Sequence, residues 1–83
     1  MKLDTELVRE VLIKIEELPF DLAFHDIAVD GRSDDEITYH VMILDEAGLI
    51  EAVDLSTMGG ICWKPKRLTY AGHQFPTQPG ATR

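Results

Sequence analysis

Four side chains in this sequence carry the thiol and imidazole groups from which nucleophilic or metal-assisted chemistry is most often built: His25, His40, His73 and Cys62. A protein zinc site draws its ligands as closely spaced pairs of Cys or His, and these four residues fall in no such spacing. Cys62 as a nucleophile needs an adjacent base to generate its thiolate. No such base stands near it in sequence, and a place on a hairpin strand suits a packed or plain surface thiol. His40 and His73 read as structural hydrogen-bonding residues beside the core. The pair Gly59-Gly60 is a turn signal and not a phosphate cradle. These residues predict no enzyme, no metal site, no cofactor and no small-molecule substrate.

Ionic chemistry is more prominent. The chain holds fifteen acidic residues against eight basic ones, a net charge of −7, with a sequence pI near 4.7. All fifteen acids lie between Asp4 and Asp54. Within residues 1–54 they meet only Lys2, Arg9, Lys14 and Arg32, a balance of −11, whereas residues 55–83 carry Lys64, Lys66, Arg67 and Arg83 with no acid, a balance of +4. A field of that sign repels a phosphate backbone from most of the surface and attracts basic partners. Plain solubility is the competing explanation of the same acids.

The frame that must position these groups is small. Eighty-three residues make one domain, and a composition of 45% hydrophobic and 28% charged residues is that of a globular chain. The longest apolar run, Val41 to Leu44, is far too short to cross a bilayer. The start, Met1-Lys2-Leu3-Asp4, leads straight into a charged periodic segment, so no signal peptide is expected. One cysteine excludes an internal disulfide and suits a reducing, cytoplasmic location.

Helical periodicity is clearest in Leu7, Val8, Val11, Leu12, Ile15 and Leu18, capped by Asp4 or Thr5 and closed by Pro19. Residues 20–32 alternate apolar and polar up to the turn signal Asp30-Gly31. They predict a short strand near Asp26 to Val29, with a short helix around Leu22 to Ile27 as the rival. Ser33-Asp34-Asp35-Glu36 fits a capping box and starts a second helix. Its inward stripe is Ile37, Val41 and Leu44, flanked by His40 and Ala47, and Gly48 ends it. The opposite face carries Asp35, Tyr39, Met42 and Glu46, with Thr38 and Asp45 alongside. Leu49–Thr57 and Ile61–Thr69 read as a hairpin turning at Met58-Gly59-Gly60, and Pro65 leaves one side of the second strand unpaired or bulged. Thr69 caps a last short helix, Tyr70 to Phe75. The segment 76–83, rich in Pro and Gly, reads as a flexible tail after a domain at 1–75.

This order of elements resembles a winged helix: an α+β fold of helix, short strand, helix, two-stranded wing hairpin and short C-terminal helix. Ile37-Thr38-Tyr39-His40-Val41, Leu44 and Ala47-Gly48-Leu49-Ile50 are similar to the recognition helix and next strand of ArsR- and MarR-type regulators. Leu68-Thr69, Gly72-His73 and Phe75 are similar to the segment closing the wing in those families. Together with Lys14-Ile15-Glu16-Glu17 and Glu46-Ala47-Gly48-Leu49-Ile50, they also resemble the prophage and bacterial family catalogued as domain of unknown function 2513, over residues 1–75. The resemblance implies a winged-helix shape and a phage-related or bacterial origin, with no assigned biochemistry. Two features depart from it. Pro76-Thr77-Gln78-Pro79-Gly80 stands where that family continues as a helix. The second helix of a full helix-turn-helix is reduced to the segment before Gly31.

Such a shape suggests DNA binding, but a recognition helix reads base edges with Arg, Lys, Asn or Gln. None of the four occurs from Asp34 to Gly48. Asp35, Tyr39, Met42, Asp45 and Glu46 instead form an apolar centre with an acidic rim, the chemistry of a surface that binds a basic protein; the competing explanation is that Tyr39 and Met42 pack on the wing or on the chain's own termini. A basic nucleic-acid-binding host factor, inhibited or regulated by this chain, is a partner of that kind. Lys64, Lys66 and Arg67 form a separate wing patch. Through it the alternative function, a DNA-binding transcriptional regulator gripping phosphates, would act.

Overall fold

The structure is a computed structural model and describes residues 2–19, 21 and 23–74. Helix α1 (Thr5–Glu16) begins where the Asp4 side chain accepts hydrogen bonds from the N–H groups of Glu6 and Leu7. The helix ends before Pro19, and its stripe of Leu7, Val8, Val11, Leu12 and Ile15 is buried. Helix α2 (Asp34–Glu46) opens on the full capping box. The Glu36 N–H donates to the Ser33 hydroxyl at 3.1 Å, and the Ser33 N–H to the Glu36 carboxylate at 3.0 Å. Gly48, at φ +79°, closes it in the left-handed geometry that disfavours a side chain.

Strands β1 (Ile50–Asp54) and β2 (Trp63–Leu68) pair antiparallel as a two-stranded sheet, and helix α3 (Tyr70–Gln74) follows. The register runs from Ile50 opposite Leu68 to Asp54 opposite Trp63. It shifts where Glu51 faces Arg67 but Ala52 faces Pro65, leaving Lys66 as the unopposed residue. The bulge adjoins Pro65, whose carbonyl and missing N–H lie on the outer edge of β2, the unpaired side that suits a proline. The core is a single cluster. The stripe of α1 meets Ile37, Val41 and Leu44 of α2, with Ile50, Leu68 and Val29 closing its edges and Trp63 packed alongside. Full burial of one such aliphatic side chain stabilises the fold by about 1.5–3 kcal/mol.

Several expectations change in detail. The short strand near Asp26 to Val29 does not form: residues 24–29 run irregularly, tied down by the His25 N–H donating to the Pro65 carbonyl at 2.9 Å. One cross-link is too few for a ladder. The strands are shorter than Leu49–Thr57 and Ile61–Thr69. Their turn rests on Met58-Gly59, because Thr57 and Gly60 exchange both backbone hydrogen bonds, at 2.9 and 3.1 Å. Ala47 is exposed rather than flanking the core, and His73 is exposed rather than beside it. Helix α3 is described as far as Gln74. Phe75 and the tail expected at 76–83 lie outside the described residues.

Thr69 stitches α3 to the rest. Its N–H donates to the Leu49 carbonyl at 3.0 Å and its hydroxyl to the Gly48 carbonyl at 2.6 Å, while the hydroxyl accepts from the Gly72 N–H at 3.1 Å. This places the Gly72 backbone directly against Leu49. A Cβ at Gly72 would lie 2.0 Å from the Leu49 carbonyl oxygen, so only glycine fits.

A second knot joins the two long helices. His40 is 1% exposed; its Nδ1 donates to the Glu36 carbonyl at 2.7 Å, and its Nε2 accepts from the Asp4 N–H at 3.0 Å. Arg32 spans the Asp4 carboxylate at 2.8 Å and Glu36 at 3.4 Å. The Arg32 guanidinium and the Leu7 and Glu6 N–H groups hold the Asp4 carboxyl below its ordinary value. The Ser33 N–H and Arg32 do the same for Glu36. The native state therefore binds these protons less readily than the unfolded chain. The stabilisation is complete above the ordinary carboxylate range and is lost as the pH falls through the lowered native values. The melting temperature is expected to drop as the pH is taken below about 4. In Asp4→Asn the drop should be shallower; an equally steep acid limb in the variant would remove this pair from the account.

Candidate functional site

The outward face of α2 owes its position to the inward one. With Ile37, Val41 and Leu44 buried at helical spacing, Asp35, Tyr39, Met42 and Glu46 must point away from the core. They do so unequally. Asp35 and Glu46 are exposed, whereas Tyr39 and Met42 are half-buried. The Tyr39 and His40 rings meet in a T-shaped contact, with centroids 5.4 Å apart and planes at 80°, so this phenol serves the helix as well as the surface. Asp45 is turned away from the group, its carboxylate accepting from the Ala52 N–H of β1 at 3.1 Å. Of the five residues expected at the site, three line one depression: Asp35, Tyr39 and Met42. Glu46 lies one turn beyond Met42 on the same face, and Asp45 supports β1.

The depression has a second wall. The hairpin turn stands opposite α2, and Gly59, Gly60 and Ile61 complete with Thr38 a groove of about 500 Å³. Neither glycine carries a side chain to narrow it. Ile61 is 70% exposed, and Met58, in the same hairpin turn, stands wholly in solvent. Tyr39 and Met42 thus face the wing, the alternative their sequence positions also allowed, although Gly59-Gly60 by itself signals only a chain reversal. The signal was present in composition: residues 55–63 contain no charged side chain, unusual for a hairpin tip.

The wing patch is largely neutralised. Lys64 forms an ion pair with Asp26, which raises its pKa above the ordinary lysine value, and Arg67 grips both oxygens of Glu51 at 3.2 and 2.9 Å. Only Lys66, the bulged residue, has no acidic partner among the described residues. A second groove, of about 290 Å³, runs between the end of α1 and β2 and is lined by Ile15, Leu18, Pro19, Lys66, Leu68 and His73, among others. It mixes both charge signs. Cys62 is half-buried, its N–H donating to the Ser56 hydroxyl at 2.9 Å. The described residues hold no cluster of three or more His, Cys, Asp or Glu able to bind a metal. No helix among them is long and apolar enough to cross a membrane.

Comparison with known proteins gives two matches. The sequence profile of the family described as "Hypothetical protein (DUF2513)" matches residues 2–78. A protein of Haemophilus influenzae (strain ATCC 51907 / DSM 11121 / KW20 / Rd), described as an uncharacterized protein, is 32% identical over 78 residues. The match covers 90% of this chain and 64% of that protein, so the chain spans less than two thirds of the relative's length. No solved structure matches at a significant level.

Proposed function

Since the chain belongs to the DUF2513 family of hypothetical proteins, we propose a function from its surface chemistry: a non-catalytic winged-helix interaction module that binds a basic protein through the outward face of α2. The observation that carries this reading is the pairing of a half-buried apolar centre, Tyr39 and Met42, with the exposed carboxylates of Asp35 and Glu46. Tyrosine and methionine are enriched at the centre of interfaces, and rim charges steer a partner of opposite sign. A cytoplasmic, phage-related setting is the one we favour. There the partner is a host nucleic-acid-binding protein whose basic groove the acidic face occupies.

The alternative is a DNA-binding regulator contacting phosphates through Lys64, Lys66 and Arg67. It is the weaker reading, because Asp26 and Glu51 already occupy two of those three cations. Neutralising a phosphate with a paired cation requires breaking the pair first.

The test is a charge reversal at two exposed positions, Asp35→Lys with Glu46→Lys. Neither side chain contributes to the core, so the fold is expected to survive. Capture of a basic protein from the native host, read by mass spectrometry, should be lost. Capture that is unchanged by the double reversal would remove this face from consideration. A parallel gel-shift series across salt concentrations checks the alternative, since phosphate-driven binding weakens steeply as salt rises.

A further inference from the structure

We propose that the groove between α2 and the hairpin turn is a two-jawed clamp for an amphipathic helix of a partner protein, apolar along one stripe and flanked by lysine or arginine. This deepens the protein-binding reading and rests on it. It adds the second jaw and the conformation of the occupant.

The second jaw is the tip of the hairpin. Exposed turns of a monomer are ordinarily polar, because nothing there removes apolar surface from water. Here the stretch 55–63 is uncharged, Met58 is wholly exposed and Ile61 is 70% exposed. Ile61 lines the groove whose other wall is Tyr39 and Met42. Apolar side chains from two separate elements thus face a common space of about 500 Å³, lined in part by Gly59 and Gly60. An inserted side chain can approach their backbone closely.

Charge selects the kind of occupant. Asp35 lies in the groove and Glu46 beyond it, and neither has an ion-pair partner among the described residues. The nearby Arg32 and Lys64 are committed to Asp4 with Glu36 and to Asp26. The rim is therefore uncompensated and calls for cations. A second copy of this chain, at −7, brings more of the same sign and is a poor occupant.

Backbone geometry selects a helix over an extended peptide. Strand addition needs a free sheet edge offering N–H and C=O groups. On β2 the Pro65 carbonyl already accepts from His25, and Pro65 has no N–H. On β1 the Ala52 N–H is taken by the Asp45 carboxylate. An added strand would meet an engaged group at the middle of each edge, whereas a helix needs no edge and presents an apolar stripe at i, i+3, i+4 spacing with flanking charges.

The experiment uses a synthetic peptide of about 18 residues, long enough to hold a helix, with a leucine stripe at that spacing and lysine elsewhere. Its control is the same composition reordered to destroy the stripe. Titration by fluorescence anisotropy against the full chain is expected to show the striped peptide binding at least about tenfold more tightly, equivalent to ~1.4 kcal/mol. Ile61→Asp should weaken it by a similar factor while circular dichroism shows an intact fold, and Asp35→Lys with Glu46→Lys should abolish it. Equal binding by the reordered peptide, or none by either, overturns the helix assignment. Loss in the double reversal with full binding by Ile61→Asp overturns the clamp but leaves the α2 reading standing. Indifference to all three substitutions overturns both.

Discussion

Replacing Gly72 with alanine should destabilise the domain by at least about 3 kcal/mol, although Gly72 sits in a helix, where alanine is ordinarily the better residue by about 1 kcal/mol. The sign is what makes the measurement informative. Helix propensity alone calls for a gain. The structure calls for a large loss, because the new methyl would meet the Leu49 carbonyl oxygen at 2.0 Å and its carbon at 3.0 Å. The obstacle is backbone, held in place by the Thr69 N–H on that same carbonyl and by the Thr69 hydroxyl on Gly48. Relief therefore requires α3 to leave the end of α2, exposing Leu68 behind it. A total stability near the lower end of about 5–15 kcal/mol is usual for domains of this size. A loss of 3 kcal/mol then moves the urea midpoint by much of its range. An unchanged or raised midpoint would show that the contact between α3 and Leu49 is not as close as described.

The second large effect lies at the other end of the core. His40→Ala is expected to cost about 3 kcal/mol, partly for the cavity and partly for the Asp4 N–H left without an acceptor. His40→Gln separates the two contributions. Its amide oxygen can accept from Asp4 as Nε2 does, so the variant should recover roughly 1 kcal/mol relative to alanine. If glutamine and alanine give the same denaturation midpoint, the hydrogen bond to Asp4 contributes nothing and the ring is only filler. Tyr39 packs on this ring in a T-shaped contact, so truncating Tyr39 disturbs α2 as well as its surface. For that reason the binding face is better probed at Asp35 and Glu46, which are exposed.

Elements set by local rules were legible in the amino-acid order. The cap at Asp4, the capping box of Ser33 and Glu36, the stop at Gly48 and the unpaired side of β2 at Pro65 each depend on a few neighbouring residues, and each stands where expected. Alternation at 26–29 misled, because a strand needs a partner edge. The outer edge of β2 offers this segment only the Pro65 carbonyl and no N–H at that residue. His73 misled for a related reason: its spacing in a five-residue helix does not settle which side faces the core. His40 was recognised as structural, but its partner Asp4 is 36 positions away, beyond any pattern in a short window. The candidate site divides the same way. Asp35, Tyr39 and Met42 follow from helical periodicity. The opposing wall at Gly59–Ile61 depends on how the hairpin is carried back toward α2, which is a tertiary fact.

The core has a temporal consequence. Five of its side chains belong to α1, yet the residues that cover them include Leu44 and Leu68. A helix of 12 residues does not hold itself in water. As the ribosome extends the chain, α1 therefore waits, apolar and uncovered, until the later elements of this domain have been translated. Leu7 to Ile15 are then an exposed apolar stripe for a chaperone to hold, and chains arrested before Leu68 should aggregate or be degraded rather than accumulate as a folded half.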